Sequence, residues 1–280
     1  MPNDDASLSE DTSQSYYDTP DVDGFYAAVW GGDDIHTGTY ESSDEPVAQA
    51  SLRTIEHAAD TVADLLSPAG TVLDLGSGFG GATRYLAERF GCRVTALNIS
   101  ESQNRRHRRT NAERGLDHLV EVVTGSFHDI PFADESFDVV WSQEAFCHSG
   151  DRPLLLREAV RVLKPDGALV FTDLMAREDA SPADLEAAVA RLGVDALATP
   201  AFYRRQLDEL GLSRIDFDDR SGQLVRHYER ITEETRRREQ ELRGLISPGY
   251  VDTLLANLPL WVDSAHSGHL RWGIFHCRRS

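Results

Sequence analysis

The residues best placed to do chemistry lie at the ends of short apolar runs. Residues 72–81 read VLDLGSGFGG, in which Val72, Leu73 and Leu75 precede three glycines within five residues, Gly76, Gly78 and Gly80. A helix-compatible segment, ATRYLAERF, follows at once. A strand, a glycine turn and a helix start bring backbone N–H groups and a helix N-terminus up to a ligand. The spacing is G-x-G-x-G with Asp74 two residues ahead, and Gly81 also fills the last slot of G-x-G-x-x-G. Spacing alone therefore admits two ligands, a nicotinamide dinucleotide or S-adenosylmethionine (AdoMet). Further polar and aromatic residues end the next apolar runs: Asn98, then Ser126 and Phe127, then Gln143, Glu144, Phe146 and His148. His36, His128 and His148 lack the spacing of metal ligands, so no metal site is expected.

These groups need a sheet to present them. Strand and helix patterns alternate from residue 70 to 173, with strands at 71–76, 92–99, 120–125, 137–143 and 168–174. Helices are predicted at 81–90, about 101–114 and about 152–163, and KPDG (164–167) reads as a turn into the fifth strand. Short Val/Ile/Leu-rich strands between helices predict an α/β fold with a parallel sheet covered on both faces. Upstream, Pro46 to Leu66 reads as a helix capped by Ser43 or Asp44. Downstream, helices at 181–193, 200–211, about 224–244 and about 248–266 accompany strands at 212–221 and 269–279. The charged helix at 224–244 is read as a solvated face, with a dimer contact as its rival. The stretch of about 175–210 is long for a connection and reads as a lid. In parallel sheets, ligands bind beyond the C-terminal strand ends, which is where the polar residues above fall.

Composition narrows the function. A chain of 280 residues with 40% hydrophobic content supports one sizeable core. No apolar run approaches the ~20 residues needed to cross a bilayer. The start, MPNDDASLSEDTSQS, lacks an apolar stretch and reads as an acidic disordered tail over 1–15 rather than a secretory signal. Residues 16–69 then form a cap segment and 70–280 the main domain. Three cysteines without a C-x-x-C pair argue against a disulfide framework or zinc and suit a reducing cytoplasm. A net charge of −19 disfavours nucleic acid or an anionic membrane as partner. Lys164 is the only lysine, a pattern that fits either a high-salt cytoplasm or an ordinary acidic protein from a GC-rich genome.

The ordered segments LDLGSGFGG, GSFHDIPF, DESFDVVWS and RVLKPDG resemble class I AdoMet-dependent methyltransferases over residues 70–174. The resemblance resolves the cofactor in favour of AdoMet. It implies a Rossmann-like doubly wound sheet of about seven strands, the last antiparallel. It places Gly76, Ser77 and Gly78 against the methionine part of the cofactor and Gln143 beside it. Asn98, Ile99 and Gln103 would face ribose and adenine edge, and Ser126 and Phe127 the adenine. Asn98 and Ser126 depart from the acidic residues usual in the family.

A second region, YYDTPDVDGFYAAVWGGDDIHTGTYE (16–41), concentrates four tyrosines, a phenylalanine, a tryptophan and a histidine in 26 residues. Together with LNISESQNRR, WSQEAFCHSGD and HLRWG, it resembles the sarcosine/dimethylglycine N-methyltransferases that make glycine betaine, over nearly the whole chain from Tyr16. A looser analogy puts Tyr17, His36 and Thr37 on the methionine carboxylate. The implied acceptor is dimethylglycine, with sarcosine open as a second; another amine, a sterol or a polyketide is the alternative, and a non-catalytic AdoMet-binding protein a more distant one. A fixed cationic product suits an aromatic pocket, for which Tyr26, Trp30, Phe146, Tyr203 and Trp272 are candidates, with Trp141 more a core residue. Arg204, Arg226 and Arg271 are candidates for the acceptor carboxylate. His148 and Gln143 are the catalytic candidates, with Glu144 as a rival base. Monomer and homodimer both remain open.

Overall fold

The computed structural model describes residues 20–31 and 34–280. Tyr17 and the acidic tail over 1–15 lie outside the described residues. The strands are β1 (Thr71–Leu75), β2 (Arg93–Asn98), β3 (Val120–Thr124), β4 (Phe137–Gln143), β5 (Leu163–Ala176), β6 (Leu212–Asp219) and β7 (Leu270–Arg279). They form one sheet in the order β3-β2-β1-β4-β5-β7-β6. β1 to β5 are parallel. β7 inserts antiparallel between β5 and β6. The order reverses between β1 and β4, which opens a crevice at their C-terminal ends.

Ten helices are described: α1 (Pro20–Val29), α2 (Val47–Asp60), α3 (Gly81–Phe90), α4 (Glu101–Glu113), α5 (Arg152–Arg161), α6 (Pro182–Leu192), α7 (Pro200–Glu209), α8 (Gly222–Arg237), α9 (Glu239–Leu245) and α10 (Pro248–His266). Alternating strand residues feed two cores. On one face Val139, Trp141 and Val170 meet Ile55 and Ala59 of α2 and Leu86 of α3. On the other, Val140, Phe171 and Phe275 meet Leu155 and Leu156 of α5 and Tyr203 and Leu207 of α7. Each fully buried side chain of this kind contributes about 1.5–3 kcal/mol.

A helical cap lies over the end where β5 finishes and β7 begins. Its own core joins Phe25, Val29 and Trp30 to Ile231, Leu242, Ile246 and Leu254. It meets the sheet through Tyr228, Trp261, Leu174, Leu270 and Trp272.

Several expectations change. The helix expected over 46–66 ends at Asp60, and Pro46 holds its N-cap position with no side-chain cap. KPDG bulges out of β5: Phe137 pairs with Leu163 and Val139 with Ala168, so the extra residues loop outward, with Asp166 at φ 62°. The charged helix over 224–244 breaks at Arg238 into α8 and α9. Its solvated reading fails along one face, because Leu224, His227, Tyr228, Ile231 and Thr235 are buried. The stretch read as a lid divides, since α7 packs flat on the sheet and only α6 joins the cap.

The glycine turn is built tightly. Gly80, at φ +82°, precedes α3, and a Cβ there would overlap the His107 ring from α4. Gly115 has a similar φ of +69° with nothing within 4 Å. Gly115→Ala is expected to cost about 1–2 kcal/mol for backbone conformation alone. Gly80→Ala adds overpacking of about 1–3 kcal/mol. Urea unfolding of the two variants side by side checks the difference; equal losses would refute the close approach.

Candidate active site

The crevice at the strand ends is a cavity closed over by the cap. Its floor carries Gly76, Gly78, Asn98, Ile99, Gln103, Ser126, Phe127, Gln143, Glu144 and His148. Its roof carries Tyr26, Trp30, His36, Thr37, His227, Tyr228 and Trp261. Ser77 lies between Gly76 and Gly78, and its buried Oγ has no hydrogen-bond partner.

Local chemistry explains the floor. Gly76 has φ +73°, and a Cβ on it would overlap Ala145, so only glycine lets the end of β1 approach the turn after β4. Asp74, buried behind this turn, accepts from Thr83 Oγ1 at 2.6 Å, and burial pushes its carboxyl up to about 6. Asn98 at the end of β2 is held by its amide nitrogen, which donates to Gln103 Oε1 (3.0 Å) and Asn104 Oδ1 (3.3 Å). That leaves Asn98 Oδ1 as the acceptor for a ligand hydroxyl. Gln143 is oriented by Trp141 Nε1, which donates to its Oε1 at 3.4 Å; its buried Nε2 has no protein partner. Orphaned donors on a cavity wall are groups awaiting a ligand or water.

The roof depends on the segment 34–40 that follows α1. Ser51 Oγ (2.7 Å) and Trp30 Nε1 (3.2 Å) both donate to His36 O, and Thr54 Oγ1 donates to Thr37 O. Asp34 lies 3.1 Å from His36 Nε2. Glu144 ties this segment to the floor. Its Oε1 accepts from Thr37 N (2.9 Å) and Trp272 Nε1 (3.0 Å), and its Oε2 from Thr37 Oγ1 (3.0 Å). Burial pushes the Glu144 carboxyl up despite these three donors. Above the floor runs a row of edge-on rings: Tyr26–Trp30 (4.9 Å), Trp30–His227 (5.5 Å), His227–Tyr228 (5.6 Å) and Tyr228–Trp261 (6.0 Å).

Most residues singled out in the sequence converge here, and six do not. Phe146 is in the core, 4.9 Å from Phe171, because its ring turns toward the α5/α7 face. Tyr203 is fully buried and its hydroxyl donates to Asp173 Oδ2 at 2.6 Å. Trp272 is buried behind Glu144. Arg204 donates to Ile215 O on the outside of the sheet. Arg226 pairs with Glu229, and Arg271 binds the carbonyls of Gly268 and Leu270. Glu144 is engaged on both oxygens, which fits a clamp better than a base. His227, Tyr228, Trp261, Leu174, Leu192 and Cys147 line the cavity without having been singled out as binding residues. The i, i+3, i+4, i+7 spacing of Leu224, His227, Tyr228 and Ile231 was the available signal. The charged residues between them masked it.

Asp173 positions the turn that carries His148. Its Oδ1 accepts from Cys147 N at 3.0 Å, and burial pushes its carboxyl up to about 6. A raised carboxyl binds its proton more tightly in the folded state. The stabilising effect of that proton is complete below pH ~3.8 and is lost as pH rises through about 6. Asp173→Asn removes this dependence, so wild type is expected to lose roughly 1 kcal/mol relative to the variant between pH 5 and pH 7. Urea unfolding at the two pH values measures it, and a constant difference would count against an inward-facing, protonatable Asp173.

Comparison with known proteins agrees with the geometry. Residues 73–171 match the family model described as a methyltransferase domain. The chain is 45% identical over 269 residues to the sarcosine/dimethylglycine N-methyltransferase of Halorhodospira halochloris, covering 96% of both chains. It is 44% identical over 271 residues to the dimethylglycine N-methyltransferase of Parasynechococcus marenigrum (strain WH8102), covering 97% of this chain and 96% of that one. A crystal structure of a candidate sarcosine dimethylglycine methyltransferase from Galdieria sulphuraria superposes with a TM-score of 0.88 at 37% identity, over 95% of this chain and 99% of the other. The glycine turn, the orphaned donors of Ser77 and Gln143, and the presented Asn98 oxygen fit AdoMet as cofactor. The chain belongs to the sarcosine/dimethylglycine N-methyltransferases, a family of AdoMet-dependent enzymes.

Proposed function

We propose that the enzyme methylates the amine nitrogen of dimethylglycine, and of sarcosine before it, so that the final product is the osmolyte glycine betaine. The names and full-length similarity of the relatives support this acceptor class. The observation that carries it in the structure is the row of Tyr26, Trp30, His227, Tyr228 and Trp261 facing a floor rich in oxygen. Aromatic faces stabilise a cation by about 0.5–2 kcal/mol each. They leave room for N-methyl groups that an ammonium-specific carboxylate pocket would exclude.

AdoMet, when bound, would supply an electrophilic sulfonium methyl, leaving as S-adenosylhomocysteine once the acceptor nitrogen has taken it. The protein's own work is positioning and proton removal. Gly76, Ser77, Gly78 and Gln143 would hold the methionine half together with His36 and Thr37. Asn98 and Gln103 would take the ribose, and Ile99, Ser126 and Phe127 the adenine. The acceptor enters beneath Tyr26 and Trp30. His148, beside Cys147 on the turn after β4, receives the amine proton directly or through water. An amine that keeps its proton has no lone pair to attack with, so this step gates the reaction.

The test is S-adenosylhomocysteine release with glycine, sarcosine and dimethylglycine in turn. Dimethylglycine is expected to give the highest kcat/KM and glycine the lowest. Absence of turnover with both methylated amines, in protein that binds AdoMet, would sink the reading. His148→Ala is expected to lower kcat about 100-fold or more at neutral pH, with partial recovery as pH rises and more of the free amine forms.

A further inference from the structure

The residues lining the cavity fall into two groups along the sheet. One follows β1 to β3, where Gly78, Asn98 and Ser126 form the polar cofactor floor. The other lies toward β5, on the far side of β4 in the sheet order. There the wall is made by Leu174 near the end of β5, Leu192 at the end of α6, Tyr228 on α8 and Trp261 on α10. These four side chains pack in one apolar cluster with Cys147, the chain neighbour of His148. Four elements thus meet beside the residue to which proton removal is assigned above.

This second group has a uniform chemistry. Leu174 and Leu192 carry no hydrogen-bonding atom, and the Trp261 indole offers only a donor. The Tyr228 and Trp261 rings meet edge-on at 6.0 Å and 69°, which makes a corner rather than a flat wall. Leu185 and Ala188 of α6 and Leu270 and Trp272 of β7 belong to the same cluster and back the corner. Such a surface favours a methyl group. It penalises an N–H in the same place, because that N–H loses water and gains no acceptor. Once its proton is gone, dimethylglycine bears two methyls beside the reacting lone pair. Sarcosine bears one methyl and an N–H, and the corner distinguishes the two at that position.

Resting on the dimethylglycine reading above, we propose that the corner of Leu174, Leu192, Tyr228 and Trp261 houses the N-methyl groups already on the acceptor. It selects acceptors by methyl count, dimethylglycine before sarcosine and sarcosine before glycine. An apolar pocket discriminates by about 10- to 200-fold for each missing carbon of this kind. Leu192 and Trp261 are the specificity-determining residues most open to change. Both are partly buried in the cap, and neither packs into the two sheet cores. The sheet thus carries the cofactor floor, and the cap carries the choice of acceptor.

The experiment measures kcat/KM for dimethylglycine and sarcosine, and the AdoMet Kd, in wild type, Leu192→Ala, Trp261→Leu and the control Leu260→Ala. Leu260 is the exposed neighbour of Trp261 on α10. Wild type is expected to favour dimethylglycine by about 10-fold or more. Leu192→Ala and Trp261→Leu should each lower that ratio about 10-fold, chiefly through a higher KM for dimethylglycine, with sarcosine kcat/KM and the AdoMet Kd within about twofold. Leu192→Ala should also gain turnover of N-ethyl-N-methylglycine relative to dimethylglycine, because it leaves room for one more carbon. A misfolded variant cannot show that gain. Leu260→Ala should match wild type. A wild type indifferent to methyl count, an unchanged ratio in either corner variant, or a parallel loss of AdoMet affinity would each overturn the assignment. Wild type that turns over neither dimethylglycine nor sarcosine would instead remove the functional reading, and this assignment with it.

Discussion

The carboxylate of Glu144, turned inward at the end of β4, holds together parts of the chain that are far apart in sequence. Taking a carboxylate out of water is costly, and it stays in place only where donors fill its lone pairs. Thr37 supplies two and Trp272 the third. The residue also adopts φ 50°, a strained value for a side chain with a Cβ. Strain and desolvation at one residue are tolerable because that residue fixes the roof segment, the end of β4 and the start of β7 at once. Without it, the roof segment would lose its tie to the end of β4 and keep only its bonds to Trp30, Ser51, Thr54 and His227.

The strand-end floor of the cavity was legible in the sequence because its geometry is local. VLDLGSGFGG encodes strand, turn and helix start through residue type alone. Asn98, Ser126 and Gln143 fall at strand ends whose position follows from the apolar runs before them. The order of the strands and the place of the crevice follow from alternating strand and helix patterns. For these, neighbours in sequence are neighbours in space, and spacing suffices.

The acceptor half was less legible because it depends on which way a side chain turns after packing. Phe146 and His148 are two residues apart on one short turn, yet one ring enters the core and the other lines the cavity. Tyr203 looked like a cage residue and is a hydrogen-bond donor to the buried Asp173. Trp272 was expected to meet substrate and instead supports Glu144 from behind. The face of α8 that carries His227 and Tyr228 was hidden by the charged residues interleaved with it. No arginine near the cavity could be inferred or dismissed from composition when the chain is rich in arginine throughout.

The insertion of β7 between β5 and β6 has a consequence for timing. β7 is the last strand in chain order, and it carries Trp272, the third donor to Glu144. While the chain is being synthesised, the glycine turn and the strand ends around it are complete long before β7 emerges. Until then β5 and β6 lack the strand that separates them, and the cap lacks the surface formed by Leu270 and Trp272. A nascent chain therefore acquires the means to bind a methyl donor early but the enclosure that protects it from water late. Closure of the site over a bound sulfonium therefore waits on the placement of this one strand.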